Sequence, residues 1–99
     1  MREYVLVSYD ISDSKRLQKV YKTMRGFGDS FQKSVFLCQL SPKEEMIMQM
    51  RLTDIIKPSE DQIVIIHLGK IDKTSISNPK SWIVMGKKLE ITDNSIMIF

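Results

Sequence analysis

The sequence predicts a single α+β domain, in which an antiparallel sheet carries two helices on one face. Its 99 residues suffice for one domain and leave no room for a second. Segments rich in β-branched residues alternate with amphipathic segments, which indicates mixed strands and helices. The turn after the first strand, residues 9–16, contains no glycine. This disfavours a doubly wound parallel sheet with a glycine-rich phosphate loop.

The first strand and the first helix are predicted over residues 4–28. Residues 4–9, YVLVSY, are β-branched and aromatic, and we expect a strand that ends at Asp10. Polar residues at 12–14 can cap a helix, which Gly26 and Gly28 end. Its apolar side chains recur at spacings of three and four, typical of one buried helix face: Leu17, Val20, Tyr21, Met24 and Phe27.

Residues 31–40, FQKSVFLCQL, are predicted as the second strand, and a second helix follows. Strand alternation is expected to place Phe31, Lys33, Val35 and Leu37 on one face and Gln32, Ser34, Phe36 and Cys38 on the other. Ser41 and Glu44 form a capping box, with Pro42 at the first helical position. We expect this helix to reach about residue 56. Six of its apolar side chains are expected in the core: Met46, Met48, Met50, Leu52, Ile55 and Ile56.

The rest of the chain is predicted to add two strands and a short terminal one. Residues 62–68, QIVIIHL, are nearly all apolar and suit a strand that is covered on both faces or lies at the centre of a sheet. Residues 82–85 before Gly86 form the next strand, and residues 95–99 are an apolar, β-prone tail that needs a strand to pair with. A ferredoxin-like antiparallel sheet accommodates these pieces if residues 31–40 contain a hairpin, or if the 62–68 strand lies beside the first.

Positive charge is concentrated on the first helix. The whole chain carries +3, but between residues 14 and 33 only Asp29 opposes the basic side chains of Lys15, Arg16, Lys19, Lys22, Arg25 and Lys33. A basic face attracts phosphate backbones whatever their base sequence. The predicted nucleic-acid contacts are Arg16, Lys19, Lys22, Arg25 and Lys33. The alternative is an ordinary solvated helix face.

Composition also bears on the compartment. The longest apolar run falls far short of the roughly 20 residues that cross a bilayer. Cys38 is the single cysteine, so an internal disulfide is excluded, and this fits a reducing environment. We therefore expect a cytoplasmic protein without a membrane partner.

Three features around the basic helix carry a resemblance to a known family. They are YDIS at residues 9–12, Gly28, and QKSVF at residues 32–36. In these the chain resembles the small CRISPR-associated protein of the adaptation step, described as a CRISPR-associated endoribonuclease. The resemblance spans nearly the whole chain and includes Gly86 and the apolar tail. It implies a ferredoxin-like fold and a symmetric homodimer, in which the terminal strand, with Ile96 and Ile98, extends the partner's sheet.

The resemblance also implies a metal site at Asp10. The aspartate that closes the first strand meets its symmetry mate across the dimer and binds a divalent cation there. Mg²⁺ or Mn²⁺ suits such a site because these ions keep several waters and use one or two carboxylates. Asp10 is therefore the expected metal ligand and catalytic residue, with Ser8 on its face of the strand and Tyr9 opposite. The alternative is that Asp10 only caps the following helix, the role we favour for Asp13.

Two functions follow from these expectations. The first is a metal-dependent nuclease that acts on RNA or DNA phosphodiesters. The second is a non-catalytic scaffold that binds double-stranded DNA for the subunits of the CRISPR integrase; a related toxin-type ribonuclease is a third alternative. The scaffold is favoured by the lack of an evident base, since His67 lies within an apolar strand and Cys38 has no nucleophile partner. Phe36 is expected either at the dimer interface or, more simply, in the core.

Overall fold

The computed structural model describes residues 2–69 and 81–86. Within them the elements are, in chain order, β1 Glu3–Asp10, α1 Ser14–Arg25, β2 Gly28–Gln32, β3 Val35–Leu40, α2 Pro42–Ile55, β4 Gln62–Gly69 and β5 Ser81–Gly86. The strands form one sheet of order β2-β3-β1-β4-β5, and every neighbouring pair is antiparallel. The α+β class, with an antiparallel sheet and two helices, is confirmed.

β1 lies at the centre of this sheet, between β3 and β4. Its residues alternate in burial, with Val5, Val7 and Tyr9 packed into the core. β4 pairs with β1 on one side and β5 on the other, so both of its edges are hydrogen-bonded. Side chains on both of its faces are buried, Ile63 and Ile65 on one and Val64 and Ile66 on the other, which explains the nearly continuous apolar sequence of β4. The expectation that the 62–68 strand lies beside the first is confirmed.

Residues 31–40 are not one continuous strand, so that prediction was wrong, while the alternative that they contain a hairpin is confirmed. β2 and β3 form a hairpin, with a turn at Lys33 and Ser34 and a register shift between Ser30 and Gln32. Phe31 consequently lies on the surface, 65% exposed. The turn contains no glycine, proline, asparagine or aspartate, so the strongest local turn signals are absent.

Both helices begin with the caps that the sequence predicted. In α1 the Asp13 carboxylate accepts a hydrogen bond from the backbone N–H of Arg16 at 3.0 Å. In α2 the Ser41 hydroxyl accepts from the N–H of Glu44 at 3.1 Å, while the Glu44 carboxylate accepts from the N–H of Ser41 at 2.9 Å. The capping box is therefore complete, and Asp13 rather than Asp10 caps α1.

The core lies between the helices and one face of the sheet. Val20 and Met24 of α1, and Met48 and Leu52 of α2, are fully buried in it. Sheet side chains complete the cluster: Val5, Val7, Tyr9, Phe36, Cys38, Leu40, Ile63 and Ile65, with Ile11 and Ile56 beside them.

Two methionines that were predicted in the core lie on the surface. Met46 is 64% exposed and Met50 is 62% exposed. Each stands two residues from the buried Met48, and two residues turn an α-helix by about 200°. When Met48 faces the sheet, its two methionine neighbours must therefore face away.

One sequence prediction falls on the rest of the chain. The terminal strand over 95–99, with Ile96 and Ile98, lies outside the described residues. In the described part of the chain, neither helix is long and apolar enough to cross a membrane.

Candidate functional site

Asp10 is the last residue of β1 and lies at the edge of the sheet face that points away from the helices. Its neighbours Val7 and Tyr9 are buried against the helices, and alternation turns Ser8 and Asp10 to the opposite face. Asp10 is exposed there, opposite Gln62 in the β1–β4 ladder. Ser8 shares its face and Tyr9 does not, which is the arrangement expected from the sequence.

The carboxylate of Asp10 is not engaged by the described part of the chain. Asp13 caps α1, so the helix start does not need Asp10. None of the hydrogen bonds and ion pairs found among residues 2–69 and 81–86 involves the Asp10 side chain. An exposed carboxylate without a partner among these residues retains its oxygen lone pairs for a ligand.

A single chain supplies too few ligands for a metal centre in its described residues. No group of three histidine, cysteine, aspartate or glutamate side chains comes together within residues 2–69 and 81–86. One carboxylate nevertheless fits Mg²⁺ or Mn²⁺ if a second copy of the chain contributes another, because these ions bind few protein ligands and keep their waters.

Two residues beyond Asp10, the chain is held by a buried carboxylate that the sequence analysis did not single out. Asp61 is 0% exposed and accepts five hydrogen bonds. The backbone N–H and the hydroxyl of Ser12 donate to one oxygen, at 3.1 and 3.2 Å. The backbone N–H of Lys57 donates to the other oxygen at 2.8 Å. Asp61 thus joins the end of β1 to the loop between α2 and β4.

The remaining two hydrogen bonds come from Arg16, in a two-pronged ion pair. Its Nε donates to Asp61 Oδ2 at 2.8 Å and its Nη2 to Asp61 Oδ1 at 3.2 Å. Nη2 also donates to Glu60 at 3.0 Å. Burial acts to raise the pKa of Asp61, but the bonds from Arg16 and from the N–H groups of Lys57 and Ser12 outweigh it and hold this pKa well below its usual range. Asp61 is therefore ionised at any physiological pH.

This ion pair turns Arg16, one of the predicted nucleic-acid contacts, away from the other basic side chains of α1. Arg16 was expected on the open basic face, but its side chain is only 23% exposed and turns toward Asp61 and Glu60. Three of its hydrogen bonds are taken by those two carboxylates. The sequence signal that could have indicated this is the acidic pair at 60–61, directly before an apolar strand.

The other basic residues of α1 are open to solvent. Lys15, Lys19 and Lys22 are exposed and follow one another at spacings of four and three, so they share a helix face. Arg25 is also exposed, with its guanidinium 5.9 Å from the ring centre of Tyr21. Lys33 is exposed in the turn between β2 and β3. The helical side chains form a basic surface, which we call the α1 basic face: Lys15, Lys19, Lys22 and Arg25.

Phe36 belongs to the core and not to a surface. It is 0% exposed and packs between two tyrosines, with ring centres 6.2 Å from Tyr9 and 5.7 Å from Tyr21. The interface role considered for Phe36 is contradicted, because a side chain enclosed by its own chain has no surface to offer a partner. Burial, together with the neighbouring Tyr21, raises the pKa of Tyr9, so its phenol stays protonated and cannot serve as a base beside Asp10.

His67 and Cys38 lie away from Asp10, and their side chains serve the fold. His67 Nε2 lies 2.6 Å from Glu45 Oε1 and links β4 to α2. It pairs with Val5, toward the opposite end of β1 from Asp10. Cys38 is buried, and burial together with Asp29 raises the pKa of its thiol to about 11. Neither group adjoins Asp10 as a base or nucleophile, in agreement with the structural roles predicted for them.

Comparisons with known proteins extend over most of the chain. A sequence model of the family described as CRISPR associated protein Cas2 matches residues 1–76. The CRISPR-associated endoribonuclease Cas2 1 of Rhodospirillum rubrum is 32% identical over 93 residues, which cover 94% of this chain and 87% of the relative.

Solved structures agree with the sequence comparison. A crystal structure of Cas2 superposes with a TM-score of 0.66 at 26% identity, and the match covers 93% of this chain and 99% of the other. Streptococcus pyogenes Cas2, crystallised at pH 6.5, superposes with a TM-score of 0.57 at 38% identity, over 61% of this chain and 78% of its own.

Proposed function

The chain belongs to the CRISPR-associated protein Cas2 family, and on that premise we propose that it is a CRISPR adaptation protein whose homodimer is a divalent-metal-dependent nuclease. Its substrates are the phosphodiesters of RNA or DNA. The relative from Rhodospirillum rubrum is named an endoribonuclease, which supports cleavage of RNA. The catalytic and metal-binding residue is Asp10 in each of two chains.

The observation that carries this proposal is the state of the Asp10 carboxylate. It is exposed at the tip of a central strand, it does not cap α1, and no described residue engages it. Exposed aspartates are common, but this one closes the first strand within the YDIS segment through which the chain resembles the family. Its place at the exposed end of β1 gives a second copy access to the carboxylate without disturbing the core.

Dimerisation completes the site in this proposal. A two-fold axis near the ends of two β1 strands brings both Asp10 carboxylates to one place, where they would repel each other in the absence of a cation. Mg²⁺ or Mn²⁺ would relieve that repulsion, and Asp10 of each chain would hold the ion.

When bound, the cation supplies charge neutralisation at the scissile phosphate and a water of lowered pKa. Asp10 holds it, and Ser8 provides a hydroxyl on the same strand face, where it can donate to a phosphate oxygen. Lys19, Lys22, Arg25 and Lys33 attract the backbone of the nucleic acid through contacts that do not depend on base sequence. Arg16 takes the structural role described above.

The test is a nuclease assay on purified protein with single-stranded RNA and with double-stranded DNA, in Mg²⁺, in Mn²⁺ and in EDTA. We expect cleavage that needs the cation and is lost in Asp10→Asn, which keeps the size of the side chain and removes its charge. The dimer, followed by analytical ultracentrifugation, is expected to persist in this variant.

The matched control is Asp54→Asn, which makes the same charge change at an exposed site on α2. Its cleavage should equal that of the wild type. Cleavage that survives both EDTA and Asp10→Asn would show that another enzyme or another site is responsible, and the proposed nuclease would be abandoned.

A second candidate function is a non-catalytic scaffold that binds double-stranded DNA for the integrase subunits. The observation that favours it is the α1 basic face, whose four cationic side chains are exposed, while no described histidine, cysteine or ionised tyrosine adjoins Asp10 as a base. A scaffold needs only backbone contacts, which such a face can make.

The scaffold predicts duplex binding that weakens as salt rises and survives Asp10→Asn. Replacing Lys19, Lys22 and Arg25 by glutamine should reduce the slope of log affinity against log salt by about 0.9 for each phosphate that the variant no longer neutralises. Lys43→Gln, which removes an exposed charge on α2, is the control and should change the slope little. An unchanged slope in the triple variant would remove the α1 basic face from the binding surface.

A further inference from the structure

We propose that Asp61 and Arg16 are positioning residues for Asp10, a role that no comparison assigns to them. This inference rests on the proposed function, because it concerns how the metal-binding carboxylate is held in place. Neither residue is proposed to touch the cation or the substrate. They act through the two-residue segment that follows Asp10.

The first step of the argument is the path from Asp61 to Asp10. Ser12 lies two residues after Asp10, and both its backbone N–H and its hydroxyl donate to Asp61 Oδ1. Between them Ile11 is buried, 8% exposed, in the core. The chain that leaves Asp10 is therefore held on one side by packing and on the other by a buried charge.

The second step concerns the opposite strand. Asp61 directly precedes Gln62, and Gln62 is the ladder partner of Asp10. The same residue thus holds the segment after Asp10 and leads into the strand that pairs with Asp10. Its backbone is closely packed as well, because a Cβ added to Gly86 on β5 would collide with the Asp61 carbonyl oxygen.

The third step is the saturation of the Asp61 carboxylate. Its two oxygens accept five hydrogen bonds, two of them from the Arg16 guanidinium in a two-pronged arrangement that fixes the plane of the carboxylate. Arg16 is itself on the first turn of α1, so the start of the helix is tied to the same point. A carboxylate with this many partners is a rigid anchor and has little capacity left for a metal ion.

Asp10 therefore combines a rigid backbone with a side chain that no described residue engages. The backbone that carries the carboxylate is fixed by β4, by the core and by Asp61. Preorganisation of this kind raises metal affinity, because less conformational freedom is lost when the ligand binds.

The experiment compares wild-type protein with Asp61→Asn, Arg16→Lys and Ser41→Ala. Asp61→Asn keeps the shape but replaces one acceptor oxygen with an NH₂ donor and leaves the other uncharged, so Ser12 loses its hydrogen bonds to a charged group in either orientation of the amide. Arg16→Lys keeps the charge and loses the two-pronged geometry. Ser41→Ala is the matched control, since it removes a helix cap beside Leu40, which pairs with Glu3, about 23 Å along β1 from Asp10 at roughly 3.3 Å per residue.

Two quantities are measured well below the melting midpoint of every variant. Amide hydrogen exchange at Ser12 reports the order of the segment after Asp10 without any metal. Mn²⁺ titration, followed by the electron paramagnetic resonance signal of the free ion, reports metal affinity without any substrate.

In Asp61→Asn we expect Ser12 to exchange about tenfold faster or more, as for loss of a hydrogen bond to a charged group. We expect the Mn²⁺ dissociation constant to rise about 10- to 100-fold, the usual effect of losing groups that orient a metal ligand. Arg16→Lys should shift both quantities in the same direction by less. Ser41→Ala, which lowers stability without touching this region, should leave both at the wild-type value.

Unchanged Ser12 exchange in both Asp61→Asn and Arg16→Lys would overturn the inference. If the wild type binds Mn²⁺, variants that exchange Ser12 faster but bind Mn²⁺ with wild-type affinity would overturn it as well. Equal effects in Ser41→Ala would also overturn it, because they would show a general loss of stability. If the wild type does not bind Mn²⁺ but Ser12 exchanges faster in the variants, the anchoring of the strand end is supported and the proposed metal site is rejected. Failure of the positioning role and failure of the metal site can therefore be told apart.

Discussion

The role of Phe36 is open to a decisive mutational test, because the same side chain was a candidate for a dimer interface and lies in the core. The change is Phe36→Ala. Phe36 is 0% exposed and lies between the rings of Tyr9 and Tyr21, so its ring is enclosed by neighbouring side chains. Removal of the ring therefore leaves a cavity in the layer between β3 and α1.

The expected loss of unfolding free energy follows from the burial of Phe36. Truncation of a fully buried phenylalanine costs about 3–5 kcal/mol of unfolding free energy, and the two aromatic contacts favour the upper part of this range. Domains of this size have a total stability of about 5–15 kcal/mol. The substitution therefore removes a large share of it and lowers the melting midpoint by about 12–40 °C.

The assay is urea unfolding followed by far-ultraviolet circular dichroism at low and at high protein concentration. Phe31→Ala is the control from the same hairpin, since Phe31 is 65% exposed and its loss should change stability by no more than about 0.5 kcal/mol. A cost below about 1 kcal/mol for Phe36→Ala, or a cost that appears only at low protein concentration, would refute the core assignment and restore an interface role.

Three further predictions concern the strand ends and the thiol. Gly86→Ala should lower the unfolding free energy by about 1–3 kcal/mol or more, measured by urea unfolding, because φ is +95° and the new Cβ meets the Asp61 carbonyl. The depressed pKa of Asp61 contributes stability that is fully present above its unfolded pKa of about 3.9 and is lost as the pH falls toward the folded value. Stability should therefore decline from pH 5 to pH 2 more steeply in the wild type than in Asp61→Asn, and equal pH profiles would contradict this. Cys38, with a pKa of about 11, should react with a thiol reagent at neutral pH only as fast as the protein opens, a rate that denaturant increases.

Much of the fold could be predicted from short stretches of the chain. The capping box at Ser41 and the cap at Asp13 are local hydrogen bonds between residues three apart, and both are present. The apolar run of β4 indicated a strand with neighbours on both sides, and it has them. These patterns are reliable because the interactions that produce them span one turn of helix or one strand.

Other features depended on contacts that no local pattern contains. The turn at Lys33 and Ser34 carries no strong turn residue, and the choice of Met48 over Met46 and Met50 for the core follows from how α2 rotates against the sheet. The Asp10 candidate came from its position at a strand end and from the YDIS resemblance, while only the structure showed that Asp13, and not Asp10, caps α1.

By itself the sequence determined most of the strands, the helices, the caps, the charge of α1 and the family resemblance, because each is written in neighbouring residues. Only the tertiary structure decided that Arg16 is turned away from the basic face and that Asp61 is its partner. These two residues are 45 positions apart in the chain. They meet because β4 pairs with β1, and the antiparallel register brings the loop before one strand beside the loop after the other.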